Sequence, residues 1–90
     1  MKLIYRKHAI MRMFQRGISD DDIRTVLATG EVIAAYPGDN PYPSQLRLCW
    51  KNETPLHVLT ACGDKDEVIV ITAYQPDLKL WTDDFTRKRT

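Results

Sequence analysis

The chain has ninety residues, 43% hydrophobic and 28% charged, which describes one small soluble globular domain spanning 1–90 and excludes a disordered polymer. No apolar run approaches the roughly 20 residues that cross a bilayer, and the basic start lacks an apolar signal-peptide core, so the expected setting is cytoplasmic with no membrane partner. The net charge of +1 hides a segregation: residues 1–16 carry five basic and no acidic side chains, residues 17–86 carry five basic against twelve acidic, and Arg87, Lys88 and Arg89 follow.

The spacing predicts a first helix over about residues 6–16 that stops at Gly17, a residue suited to the left-handed turn after a helix. Ile10, Met13, Phe14 and Ile18 form its expected apolar stripe, while His8, Arg12 and Arg16 recur every fourth residue as a basic stripe. In "ISDDDIRTVLATGE" Ser19 is placed to cap, Asp22 stands three residues later as in a capping box, and Asp20 and Asp21 favour the positive helix end. Ile23, Val26 and Leu27 supply that helix's buried face, and Gly30 ends it.

After Gly30 the period changes to two. "EVIAAYP", "QLRLCWK", "LHVLTACG" and "VIVITAYQP" read as four strands, the last apolar on both faces and therefore central. The loop "GDNPYPS" and the turns "NETP" and "GDKDE" separate them, and short connections favour an antiparallel meander. "DLKLWTDDFTRKRT" reads as a loop or short helix with a frayed basic end. The expected fold is thus α+β: two N-terminal helices packed on a four-stranded antiparallel sheet, with a short C-terminal helix or tail.

No glycine-rich phosphate loop, CxxC or HExxH spacing occurs, and no cofactor or metal is expected. Cys49 and Cys62 lie inside apolar runs and read as buried free thiols, and a zinc site built with His57 is the minority reading. The chemistry-bearing candidates are His8, Arg12, Arg16, Arg47, His57 and Tyr74. Histidine and tyrosine move protons and arginine clamps phosphate. Singly, each has a bland reading as a solvated or packed side chain. Together they match what metal-free RNA cleavage needs, because the substrate brings its own nucleophile, the 2′-hydroxyl. A proton must leave that hydroxyl, another must reach the departing 5′-oxygen, and cations must hold the phosphate charge.

"HAIMRMFQRGISDDDIRTVLATGEVIAAYPGDNPYPSQLRL", "PLHVLTA" and "VIVITAYQPD" together resemble the bacterial domain-of-unknown-function family 4258, and the resemblance covers nearly the whole chain. It implies a compact ribonuclease-type fold of the RelE-like and barnase-like kind, and the toxin half of a toxin–antitoxin pair whose partner is a zinc-finger antitoxin. The leading expectation is a small metal-independent endoribonuclease acting on RNA. In it Arg12 and Arg16 bind the scissile phosphate with Arg47 in support, His57 gives or takes a proton, and His8 or Tyr74 is the second proton carrier. The alternative is a non-catalytic module that binds RNA or a protein through the same basic face.

Overall fold

The computed structural model describes residues 2–89. A short strand, β1 (Lys2–Tyr5), leads into helix α1 (Lys7–Arg16) and helix α2 (Asp20–Thr29). Four strands follow: β2 (Glu31–Tyr36), β3 (Ser44–Lys51), β4 (Thr54–Cys62) and β5 (Glu67–Tyr74). The sheet runs β1-β5-β4-β3-β2, with β1 parallel to β5 and every other neighbour antiparallel. The expected four-stranded antiparallel sheet is therefore corrected to a five-stranded mixed one. Four residues are too few to show a period of two, and a parallel pair joined through two helices leaves no local turn signature. The expected C-terminal helix is absent among the described residues. Residues 75–89 instead fold back over the sheet through turns, with an isolated bridge between Trp81 and Lys88.

Helix α1 ends as its sequence dictates: Gly17 sits at φ 66°, in the left-handed region that a side chain would strain, and the Gly17 and Ile18 amides both donate to the Met13 carbonyl. Helix α2 opens with a complete capping box, the Asp22 amide donating to Ser19 Oγ at 3.0 Å and the Ser19 amide to Asp22 Oδ2 at 2.9 Å. No helix of the described residues is long and apolar enough to cross a membrane.

The sheet is covered on both faces. On one, α1, α2 and the turn between them bury Ala9, Ile18, Ile23 and Val26 against Leu56, Val58, Val70 and Ala73. On the other, which we call the lid face, the C-terminal segment lays Trp81 and Phe85 on Leu46 and Leu48. Covering on both sides explains why β5 is apolar on both faces. Helix α1 departs from its expected stripe. Met13 is half-buried with Ala9 beneath it, but Ile10 and Phe14 are 55% and 89% exposed. The small Ala9 side chain is fully buried against the sheet, and the basic stripe lies beside the end of β5.

Removing packed volume costs more than removing a cap. Ile23→Ala, at a fully buried position, is expected to destabilise by about 2–5 kcal/mol, and Ser19→Ala by about 1 kcal/mol. Urea unfolding of both variants checks the order, and a cap variant as costly as the core variant would contradict it.

Candidate functional site

Strand β1 pairs with β5 only as far as Val70, after which the Arg6 amide donates to the Val70 carbonyl at 3.1 Å and the chain turns into α1. Beyond that point the edge of β5 lies beside α1 instead of a strand. The ladder to β4 also slips there: Thr60 faces Val70, but Leu59 faces Thr72, so Ile71 is an extra residue, a β-bulge. Unbroken alternation would put Thr72 and Tyr74 on the helix face with Val70. The bulge moves both to the lid face, leaving Ala73 in the helix-side core.

The result is a cleft of about 290 Å³ between α1 and the β5 edge, lined by His8, Arg12, Arg16, Thr72 and Tyr74. Four of the six candidates from the sequence meet in it. Arg12 Nε lies 3.4 Å from His8 Nε2 and donates to it, which leaves the ring proton of a neutral His8 on Nδ1. Among the described residues no carboxylate pairs with Arg12 or Arg16. The nearby acids are engaged elsewhere: Asp20 binds Arg24 at 2.8 Å and accepts from the Tyr5 hydroxyl, and Asp22 binds Lys51 at 3.0 Å beside its capping role. Two arginines and an imidazole, with no acid in the lining, give this cleft the chemistry to hold an anion.

His57 stands elsewhere, on the lid face directly across from Tyr74 and fully buried, at 0% exposure. Its Nε2 lies 2.8 Å from the Phe85 carbonyl and its Nδ1 lies 3.2 Å from the Tyr74 hydroxyl. A carbonyl only accepts, so Nε2 carries the proton, Nδ1 is a bare acceptor, and the Tyr74 hydroxyl donates to it. Burial pushes the His57 pKa below its ordinary value, against the opposing pull of the Phe85 carbonyl, so the ring stays neutral. Its edge-on neighbours are Trp81, with centroids 4.4 Å apart, and Tyr74, at 5.3 Å. With no exposed atom and both nitrogens occupied, His57 orients the Tyr74 hydroxyl from behind. The pKa of Tyr74 is pushed up to about 12, first by burial and then by the neighbouring Tyr36 phenol, so its proton stays on oxygen at neutral pH.

Arg47 lies outside the cleft. It projects on the helix face, where Nη1 reaches toward the Leu27 carbonyl in the last turn of α2 at 3.5 Å and Nη2 toward Gln45 at 3.3 Å. It serves that helix's unpaired carbonyl end. Cys49 also faces α2, its Sγ 3.5 Å from Thr29 Oγ1, across the sheet from His57, while Cys62 is exposed rather than buried as expected. Thr72, Trp81 and Phe85 escaped the sequence reading. Thr72 carries no local signal. The two aromatics did carry one, since large rings four residues apart are out of place in a frayed tail.

A family model described as "Domain of unknown function (DUF4258)" matches residues 5–75. Comparison with curated proteins and with solved structures finds no match.

The depressed His57 pKa sets a sign for stability. The unfolded chain binds this proton at higher pH than the folded one, so stability is full above about pH 6.5 and falls as the pH drops below it. Glutamine keeps an acceptor for Tyr74 and a donor for Phe85 without titrating. Melting temperatures measured between about pH 7.5 and 5.5 should therefore fall more steeply for the native chain than for His57→Gln, and equal slopes would contradict the account.

Proposed function

The chain belongs to the DUF4258 family, and on that premise we propose that it is a small metal-independent endoribonuclease, the toxin-like half of a pair held inactive by a partner protein. The observation that carries this reading is the acid-free cleft lined by His8, Arg12, Arg16 and Tyr74, the tyrosine braced through its hydroxyl by a buried imidazole.

In this reading the RNA phosphate lies between Arg12 and Arg16, whose guanidinium groups take its two non-bridging oxygens and stabilise the added charge of the pentacoordinate state. The phosphate draws the Arg12 Nε–H away from His8, and the freed Nε2 lone pair accepts the proton of the 2′-hydroxyl. The 2′-oxygen forms its bond to phosphorus as the bond to the 5′-oxygen breaks. Tyr74, fully protonated at neutral pH, swings its O–H from His57 toward the departing 5′-oxygen and protonates it. The products are a 2′,3′-cyclic phosphate and a 5′-hydroxyl. His57 is a positioning residue: it fixes where the phenol oxygen sits and takes back its hydrogen bond at rest.

The non-catalytic alternative has one observation in its favour. Ile10, Met11 and Phe14 are all exposed on the outer side of α1, away from the cleft, a surface suited to protein contact. The same surface also serves the inhibited-pair reading.

Incubation of the purified chain with total RNA in excess EDTA tests the proposal. The native chain should release fragments with 5′-hydroxyl ends, and Arg12→Ala, His8→Ala and Tyr74→Phe should each slow cleavage by about 10²-fold or more while keeping native circular dichroism. His57→Gln should retain more activity than Tyr74→Phe. Cleavage at native rates by all three cleft variants overturns the assignment.

A further inference from the structure

Tyr74 lines a second cavity. On the lid face, an open pocket of about 300 Å³ is lined by Tyr36, Asp39, Leu46, Leu59, Tyr74, Trp81 and Lys88. The volume lies at the small end for ligand sites, roughly 300–1,000 Å³, and suits a single flat ring system. Its floor is apolar: Leu46 and Trp81 are buried. Its rim holds Tyr36, an aromatic 40% exposed and so open to stacking. Two opposite charges also stand on the rim without pairing with each other. Asp39 receives the hydroxyl of buried Ser44 on Oδ2 at 2.5 Å, which fixes the carboxylate while each of its oxygens keeps a lone pair for a further donor. Lys88 sits 5.9 Å over the Trp81 ring with no carboxylate partner among the described residues.

We propose that this cavity is a nucleobase site that selects guanine. The proposal rests on the ribonuclease reading above and deepens it. An aligned carboxylate asks for two adjacent donors, and guanine alone of the four bases presents them, N1–H and N2–H, on one edge. Guanine also offers two adjacent acceptors, O6 and N7, to an ammonium group. The base stacks on Tyr36 between Asp39 and Lys88. Tyr74 stands between this cavity and the phosphate cleft, and it hands its proton to the leaving 5′-oxygen. The nucleotide on its far side is therefore the one that carries that oxygen. The site accordingly reads the base downstream of the broken bond, and cleavage falls immediately 5′ of guanosine.

The test is a titration of the full chain, followed by amide and indole NMR shifts, with guanosine, inosine and adenosine 5′-monophosphates and with inorganic phosphate alone. Guanosine 5′-monophosphate should shift Tyr36, Asp39, Lys88 and the Trp81 indole and bind about tenfold or more tighter than the adenosine form. The inosine form, which lacks the N2 amine, should fall between them, and inorganic phosphate should shift only the His8–Arg16 cleft. Asp39→Asn keeps an acceptor for Ser44 and should abolish the guanine preference. Equal affinity for the guanosine and adenosine forms, or a preference that survives Asp39→Asn, overturns the proposal. Failure of the two readings is distinguishable: guanine selection by a chain that does not cleave RNA leaves this pocket standing without the nuclease, and cleavage without base preference does the reverse.

Discussion

Everything on the lid face depends on one buried ring. His57 ties β4 to the C-terminal segment through the Phe85 carbonyl and to β5 through the Tyr74 hydroxyl. A buried polar group left without partners costs about 1–3 kcal/mol. The ring's burial therefore forces both contacts to form together, and Trp81 and Phe85 come down on the sheet as part of the same arrangement. The family match ends at residue 75, so the aromatic segment that seats Tyr74 lies beyond the part of the chain it spans.

The second organising constraint is electrostatic. Arg12 and Arg16, one turn apart on α1, repel at a cost of a few tenths of a kcal/mol. Two acids, Asp20 and Asp22, lie within a few residues of them in sequence but do not pair with them. Instead Asp20 is spent on Arg24 and Tyr5, and Asp22 on the α2 cap and Lys51. The acidic run thus builds its own helix start and an anchor to β3, and the cationic side of α1 is left facing the end of β5. Structural demand on one set of charges is what makes the other set available.

Much of this was legible in the sequence, for reasons that differ by element. Helix α2 announces itself because Ser19 and Asp22 satisfy backbone groups locally, and local chemistry is written in local spacing. The four-strand meander shows in its alternation and turns. Strand β1 does not show, because its partner lies more than sixty residues away and its four residues merge with the start of α1. The convergence of His8, Arg12, Arg16 and Tyr74 could be guessed from residue type but not located, since it depends on where β1 pairing stops. Arg47 and His57 lie outside the cleft for a shared reason: the alternation of their strands, not the chemistry of their head groups, assigns each a side of the sheet. Arg47 faces the helices and His57 the interior under the lid.

The extra residue in β5 gives the site an all-or-none character during folding. A strand in its pairing groove can settle one position off, and such a slip trades every side chain between faces. If β5 aligned without Ile71 looped out, the phenol would be thrust among the aliphatic residues under the helices, and the methyl group of Ala73 would sit where a hydroxyl is required. No intermediate arrangement places both residues well. The stretch from Ile71 to Tyr74 is therefore self-checking: the alignment that hides Ala73 is the same one that delivers Tyr74, and a misaligned chain declares itself through a spoiled core.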